Sequence, residues 1–131
     1  MSTTSAASRA FVFDMDGTIV DNMAFHTDSW LRFFERRGQV LDADAFFSAT
    51  AGRQGREIMR TYLGEHLSDD ELALLDHEKE SVYRELYGPH RKAVDGFEAL
   101  VEQARAKGVK LAVGTAAPPG NVPFTLGPLD L

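Results

Sequence analysis

Residues 11–21 of the 131-residue chain read Phe11-Val12-Phe13-Asp14-Met15-Asp16-Gly17-Thr18-Ile19-Val20-Asp21. The apolar run at the start of this stretch is short and bounded by breaks, which predicts a buried strand rather than a helix. The strand ends in two carboxylates that are one residue apart. Because residues i and i+2 of an extended segment point the same way, Asp14 and Asp16 are expected to converge beyond its carboxyl end. Open parallel sheets bind their ligands at that end.

Two adjacent carboxylates repel each other, so such a pair is normally stabilised by a cation or a shared proton. A hard divalent ion such as Mg²⁺ suits this pair, because it prefers oxygen ligands and keeps some of its waters. The alternative is an Asp-rich turn, since Asp-Gly pairs are common in turns. The apolar strand before the pair and the Gly-Thr after it favour a functional role.

Composition narrows the classes of protein to consider. The chain is 44% hydrophobic and 26% charged, as expected of a globular domain with a sizeable core. A net charge of −6 gives no electrostatic reason to expect nucleic acid or an anionic membrane as a partner. The absence of cysteine excludes disulfides and is compatible with a reducing compartment. Residues 1–9 do not resemble a secretion signal and no run has the length of a membrane span, so we expect a cytoplasmic protein.

The remaining sequence predicts an α/β fold with a long helical insertion. Helical periodicity follows Asp21 and continues to Tyr87 in four helices, with Asn22, Asp42 and Ser68 as N-cap residues.

After this insertion, Asp95 is predicted to cap a further helix that ends at Gly108, and residues 109–113 predict a second strand. The last sixteen residues are rich in Pro and Gly and predict no third strand. The expected fold is a partial Rossmann-like parallel-sheet core with an inserted four-helix cap. Residues 1–21 and 89–131 are assigned to the core, and residues 22–88 to the cap.

The stretch Asp14-Met15-Asp16-Gly17-Thr18 resembles the Asp-x-Asp-Gly-Thr signature of the haloacid-dehalogenase-type phosphotransferases. Nearly the whole chain, from Phe11 to about Leu126, is similar to the branch that contains β-phosphoglucomutase and phosphatases with a helical cap. This resemblance implies that Asp14 is the nucleophile and carries an aspartyl-phosphate. It also implies that Asp16 is the general acid/base, that its backbone carbonyl binds Mg²⁺, and that Asp14 shares this metal site. A carboxylate is a competent nucleophile once nearby groups offset the charge of the phosphate.

Thr115 follows the second predicted strand. Because neighbouring parallel strands end on the same side, its hydroxyl is expected to lie beside Asp14. A threonine can also end a strand without any function. The resemblance implies that the Thr115 hydroxyl and the backbone N–H of Ala116 bind the transferred phosphoryl group.

Two residues of the predicted cap stand out. Lys79 occupies one position of an otherwise apolar helical stripe, so its stem either extends outward to water or its ammonium faces a polar cleft and binds an anion. The resemblance favours the second interpretation, with Lys79 reaching the phosphate of the substrate. His26 resembles a histidine on the hinge side of the cap in the β-phosphoglucomutase branch, and it can equally be a surface residue of an amphipathic helix.

The stretch Gly52-Arg53-Gln54-Gly55-Arg56 resembles the substrate-specificity loop of such caps. Glycine lets the backbone approach a ligand, and the guanidinium groups of Arg53 and Arg56 can bind oxyanions. An ordinary loop between two helices is the alternative.

These observations predict a Mg²⁺-dependent phosphohydrolase that acts on small phosphate esters such as sugar phosphates. Phosphoryl transfer of the phosphoglucomutase type is the alternative reaction. The basic third motif and the acidic fourth motif of the family have no counterpart before Leu131, which predicts a fragment of a longer enzyme or a non-catalytic remnant. Unpaired edges of a two-stranded sheet also predict self-association.

Overall fold

The computed structural model describes residues 7–131, and the chain divides into two compact units. The α/β unit comprises the described residues up to Asn22 together with Arg91–Leu131, and the helical unit comprises Met23–His90. Residues 1–6, which make up most of the stretch assessed as a secretion signal, lie outside the described part of the chain.

In chain order the elements are β1 (Ala10–Phe13), α1 (Met23–Glu35), α2 (Ala43–Thr50), α3 (Gly55–Leu63), α4 (Asp69–Tyr87), α5 (Phe97–Ala106), β2 (Lys110–Val113) and α6 (Asn121–Leu126). Short 3₁₀ turns follow α4 at Gly88–His90 and α6 at Gly127–Leu129. Among the described residues, no helix combines the length and apolar character that crossing a membrane requires.

The sheet of the α/β unit pairs β1 with β2 in parallel. Phe11 lies opposite Leu111 and Phe13 opposite Val113, so these four side chains share one face of the sheet. Helix α5 packs on this face, where the rings of Phe13 and Phe97 meet edge to face with centroids 5.1 Å apart. The predicted fold class, a parallel α/β core with inserted helices, is confirmed.

The prediction that β1 is a buried strand is wrong. Phe11 is 44% exposed and Val12 is 70% exposed. Side chains alternate between the two faces of a strand, so Val12 lies on the face opposite to α5. A parallel strand is buried on both sides only when other elements cover both faces of the sheet. The apolar pattern of the sequence shows which side chains are hydrophobic, but it does not show whether other elements cover both faces of the sheet.

The helical unit has a core of its own, because α1 and α2 turn their aromatic residues towards α3 and α4. Its buried members are Trp30, Phe33, Phe34, Phe46, Ile58, Met59 and Leu72. Helix α1 is tied to α4 by Arg37, which donates to Glu78 from both terminal nitrogens and lies 3.9 Å from the centre of the Phe33 ring.

Two of the predicted helix starts in this unit are confirmed. The side chain of Asp42 accepts a hydrogen bond from the N–H of Ala45 at 2.9 Å. Ser68 and Glu71 form a reciprocal capping box, in which each side chain accepts from the other residue's backbone N–H. Both motifs satisfy backbone donors that the first helical turn leaves without partners.

The predicted cap at Asp95 is wrong. Helix α5 begins one residue later than a cap at Asp95 requires, after Gly96, and no side chain caps it. Gly96 has a φ of 86°, which is a left-handed conformation that glycine adopts at little cost. Helix α6 was not predicted, because Pro123 and the neighbouring glycines mark its sequence as irregular, although proline is tolerated in a first turn.

The chain leaves the α/β unit and returns to it through two adjacent segments of that unit. Val20 and Ala93 form an antiparallel bridge, and the N–H of Val94 donates to the carbonyl of Ile19 at 2.8 Å. The first and last segments of the α/β unit are thereby joined across the insertion.

Candidate functional site

The loop after β1 is built around Met15. Its side chain is fully buried, whereas Asp14 on one side is exposed and Asp16 on the other is partly buried. This alternation is expected of an extended segment that leaves a strand. The carbonyl of Met15 accepts backbone hydrogen bonds from Thr18 and Ile19 at 3.2 and 2.9 Å, so the chain turns back directly after the two aspartates.

Gly17 makes this turn possible. Its φ is 73°, a left-handed conformation in which any side chain would be strained. Its N–H points at Asn22 and donates to the side-chain oxygen Oδ1 at 3.1 Å. The backbone conformation of the turn therefore explains why this position of the Asp-Gly-Thr motif is a glycine.

Asn22 is a site residue that the sequence analysis assigned only to a helix cap. It is fully buried, and its Nδ2 donates to Oδ1 of Asp16 at 2.6 Å. Its two ends thus bind two consecutive residues of the loop, namely Asp16 and Gly17. The spacing of a buried asparagine six residues after the second aspartate is the only sequence signal that could have indicated this contact.

Thr115 leaves the same end of the sheet as Asp14. The N–H of Gly114 donates to the carbonyl of Phe13 at 2.9 Å, which extends the parallel ladder by one residue beyond β2. Thr115 is partly buried, and its Oγ1 accepts a hydrogen bond from the N–H of Ala117 at 3.1 Å. Ala116, between them, is exposed. Oxygen acceptors and donors of both strands are therefore grouped at this edge.

The donors at this edge suit Mg²⁺ in type and are few in number. Among residues 7–131, no cluster of three or more His, Asp or Glu side chains could hold a metal ion. Mg²⁺ does not need such a cluster, because it is usually bound by one or two carboxylates together with waters and phosphate oxygens. Asp14 and Asp16 offer carboxylate and carbonyl oxygens of this kind, so the residues present fit the ion.

Lys79 in the helical unit is buried and paired. It is 3% exposed, and its ammonium donates to Oε1 of Glu80 at 3.0 Å. The same nitrogen lies 4.8 Å from the centre of the Trp30 ring and 5.7 Å from that of Tyr83. The interpretation in which the stem extends outward to water is therefore wrong. A buried ammonium is tolerated here because a carboxylate and two aromatic faces replace its water.

His26 and Lys79 both lie against the ring of Tyr83. The imidazole stacks on Tyr83 with centroids 4.0 Å apart and planes 6° from parallel. Since the ammonium of Lys79 faces the same ring, the two cap residues singled out from the sequence lie on one aromatic residue. His26 is partly buried rather than a fully exposed surface residue.

The loop before α3 contains the remaining predicted residues. Gly52 is exposed, with a φ of 76°. Arg53 donates from Nε to Glu57 at 2.9 Å and from Nη2 to the hydroxyl of Thr61 at 2.6 Å. Arg56 is exposed, and its Nη1 lies 3.7 Å from a carboxylate oxygen of Asp69. Both guanidinium groups are thus held on the surface of the helical unit by neighbouring side chains.

Asp76 and Glu80 are acidic residues of the helical unit that the sequence analysis missed. Partial burial, and then the nearby charge of Glu80, raise the pKa of Asp76 above its ordinary value, while Lys79 opposes this shift. Asp76 lies three residues before Lys79 on α4, a spacing that places two side chains on one helical face, and Glu80 follows Lys79 directly. Such spacing around a lysine in an apolar stripe is a signal that could have found them.

Comparisons with known proteins agree with the fold and identify the family. A family model for haloacid dehalogenase-like hydrolases matches residues 8–131. Validoxylamine A 7'-phosphate phosphatase of Streptomyces hygroscopicus subsp. limoneus is 30% identical over 126 residues, which cover 92% of this chain and 57% of that protein. The chain spans about half the length of the curated relatives it matches, at 53%, 57% and 49% of three of them.

Solved structures give the same result. The HAD hydrolase of family IA, variant 3, from Entamoeba histolytica is similar with a TM-score of 0.84 and 26% sequence identity. The match covers 92% of this chain and 55% of that one. The β-phosphoglucomutase of Clostridium difficile is similar in fold, with a TM-score of 0.72 at 23% identity over 95% of this chain and 58% of that one. The family expected from the Asp-x-Asp-Gly-Thr stretch is confirmed: the chain belongs to the haloacid dehalogenase-like hydrolases.

Proposed function

We propose that this chain supplies the nucleophile, the phosphoryl-binding loop and the helical cap of a Mg²⁺-dependent phosphohydrolase that acts on small phosphate esters such as sugar phosphates. One observation carries the proposal. The exposed Asp14 follows β1, and Thr115 follows β2 at the same end of the sheet, where Gly114 still pairs with Phe13. A nucleophile and a phosphate-binding hydroxyl are expected on neighbouring strands in this way.

The reaction proceeds in two steps. A carboxylate oxygen of Asp14 attacks phosphorus and forms an O–P bond as the ester oxygen leaves, and Asp16 donates the proton that the leaving oxygen requires. Asp16 then accepts a proton from a water molecule that attacks the aspartyl-phosphate. Inorganic phosphate leaves, and the Asp14 carboxylate is restored. The Thr115 hydroxyl and the Ala116 N–H donate hydrogen bonds to the phosphoryl oxygens in both steps.

Asp14 and the backbone carbonyl of Asp16 are the groups that would hold Mg²⁺. When bound, the ion offsets the negative charge of the phosphoryl oxygens, which is the main requirement of phosphoryl transfer.

The helical unit binds the rest of the ester in this proposal. Lys79 and His26 lie together at Tyr83, and Lys79 shares its ammonium between Glu80 and the anion. Gly52, Arg53 and Arg56 form the specificity loop, in which the exposed guanidinium of Arg56 is the group best able to bind an oxyanion.

The test is phosphate release from a panel of sugar phosphates by the protein expressed from its natural reading frame, with intact mass establishing which chain is assayed. Asp14→Asn should lower turnover by on the order of a thousandfold or more, because it removes the nucleophilic charge and little volume. The matched control is Asp21→Asn, which changes an exposed carboxylate seven positions later and should leave turnover near that of the wild type.

Undiminished turnover in Asp14→Asn, or in an excess of chelator, would rule out this mechanism. A hexose 1-phosphate followed by phosphorus NMR distinguishes the reactions, because a mutase moves the phosphoryl group to a second hydroxyl and a hydrolase releases it as inorganic phosphate. The lack of cysteine leads us to propose a cytoplasmic location as well.

A non-catalytic module remains the second proposal for the 131 residues themselves, favoured by the small number of metal-binding carboxylates among the described residues. Such a module would bind inorganic phosphate weakly, or pair with another chain, without turnover. Phosphate titration followed at the amide signals of Gly114 and Ala116 separates weak binding from no binding.

A further inference from the structure

Asn22 stands out among the polar residues of the α/β unit because it is fully buried and contacts one of the proposed reacting groups. A buried amide is costly unless its donors and acceptor are satisfied, so its contacts define a narrow set of orientations. Asn22 is also the last residue before α1, at the point where the chain leaves the α/β unit.

Two hydrogen bonds fix the orientation of the amide. The N–H of Gly17 can only donate, so it requires the oxygen Oδ1, which it reaches at 3.1 Å. The carboxylate of Asp16 requires a donor, and Nδ2 supplies it at 2.6 Å. A flipped amide would lose both bonds at once, so neither contact is accidental.

The bond from Nδ2 holds one oxygen of the Asp16 carboxylate, Oδ1. A hydrogen bond to a charged group is among the stronger ones, and this one restricts rotation of the Asp16 side chain.

We propose that Asn22 is a positioning residue that holds the carboxylate of Asp16 in a single rotamer while closing the turn at Gly17. The proposal rests on the proposed function for the role of Asp16 in proton transfer. The orientation of Asp16 can be measured without any turnover.

The experiment compares the 131-residue chain with Asn22→Asp and Asn22→Ala by NMR. Asn22→Asp retains an oxygen acceptor for Gly17 and replaces the donor facing Asp16 with a repelling carboxylate, whereas Asn22→Ala removes both bonds. Three-bond couplings from the Asp16 carboxyl carbon to its backbone report the side-chain rotamer, and hydrogen exchange of the Gly17 amide reports the second bond. The control is Asn121→Asp, which changes another buried asparagine of the same unit.

We expect one dominant Asp16 rotamer in the wild type and in Asn121→Asp, and a changed or averaged rotamer in both Asn22 variants. Exchange of the Gly17 amide should stay slow in Asn22→Asp and rise about tenfold or more in Asn22→Ala, as expected for the loss of one hydrogen bond. Where the assayed chain turns over ester, kcat of the Asn22 variants should fall about ten- to a hundredfold with little change in KM.

An unchanged Asp16 rotamer in both Asn22 variants, or an averaged rotamer in the wild type, would overturn the proposal even if the protein is an active phosphatase. Absence of turnover in the wild type would count against the proposed function alone, since the rotamer and exchange measurements do not depend on it. If Asn22→Ala fails to fold, Asn22→Asp alone carries the test, because it preserves volume and the Gly17 contact.

Discussion

The helical unit buries its large apolar side chains more completely than the α/β unit does. Trp30, Phe33, Phe34 and Phe46 are all buried inside the helical unit, whereas Val12 on β1 is 70% exposed. Helices close a core with partners that lie nearby in sequence, while a parallel strand is covered only when elements from distant parts of the chain reach both faces. The helical unit is therefore close to complete by itself, and the sheet depends on additional cover.

Buried polar groups follow the same contrast. The ammonium of Lys79 in the helical unit has a carboxylate and two rings around it. In the α/β unit, the buried hydroxyl of Thr125 has no hydrogen-bond partner among the described residues. Buried polar atoms are almost always satisfied in native structures, so an orphaned hydroxyl marks the less completely packed unit.

The largest difference should come from removing one aromatic side chain in each unit. Phe34→Ala empties part of the helical core and should cost about 3–5 kcal/mol of unfolding free energy. Phe11→Ala removes a ring that is already 44% exposed, so it should cost less than about 1 kcal/mol. Urea unfolding followed by circular dichroism measures both, and equal losses would show that the two units are packed alike.

The next largest effect concerns the buried ion pair of the helical unit. Lys79→Met removes the ammonium that donates to the buried carboxylate of Glu80, and the loss of this charged hydrogen bond should cost about 1–3 kcal/mol. The double variant Lys79→Met/Glu80→Gln should recover much of this loss, because no charge then remains buried at the pair. The exposed pair of Arg53 and Glu57 is the control, and Arg53→Met should cost under about 1 kcal/mol. A Lys79→Met protein as stable as the wild type would mean that the pair contributes nothing.

Self-association tests the claim that the sheet lacks cover. We expect the 131-residue chain to associate through the unpaired edges of its sheet and the uncovered face beside them, and Val12→Glu should weaken the association about tenfold, because it places a charge on that apolar face. Val40→Glu is the control, since Val40 is 86% exposed in the helical unit and should leave association unchanged. Sedimentation velocity over a range of concentrations gives the dissociation constants. A monomeric wild type, or equal effects of the two substitutions, would contradict the expectation.

The smallest predicted effect is a pH dependence within the helical unit. The hydrogen bond from Arg37 lowers the pKa of Glu78 below its ordinary value of 4.5, with partial burial opposing the shift. Stability from this pair is therefore present above pH 4.5 and is lost as the pH falls through the lower pKa of the folded state. Glu78 is 44% exposed at its side chain, so solvent screening limits the effect to less than about 1 kcal/mol.

Glu78→Gln should remove this part of the acid dependence, and Glu85→Gln on the exposed side of the same helix should not. Denaturant titrations between pH 3 and 7 provide the measurement. Identical acid profiles for the wild type and Glu78→Gln would show that the pair makes no contribution.

The sequence predicted most where structure depends on local chemistry. Asp42 and Ser68 mark helix starts because their side chains bond to backbone donors three residues away. The Asp-x-Asp-Gly-Thr stretch is local as well: its resemblance to the signature identified the family, and its Gly17 adopts the left-handed conformation of the turn. Asp95 does not cap α5, because a capping aspartate and a left-handed glycine compete for the same helix start, and Gly96 occupies it.

Features that depend on tertiary contacts were not predictable in the same way. The exposure of Val12 depends on what covers the sheet. The ion pair of Lys79 depends on how the adjacent Glu80 side chain turns into the core. Asn22 reaches Asp16 only because the intervening loop folds back on Met15. The residue types of the site could be predicted from the sequence, whereas the contacts that orient them could not.

Trp30 gives the helical unit a fluorescence signal that the α/β unit does not share. It is the single tryptophan of the chain, and it lies in the aromatic core of the helical unit, 4.8 Å from a buried ammonium. Its fluorescence therefore reports melting of the helical unit alone, and the nearby charge should make the emission sensitive to the Lys79–Glu80 pair. Far-ultraviolet dichroism sees the backbone of both units. A difference between the two melting curves measures directly how far the units unfold independently.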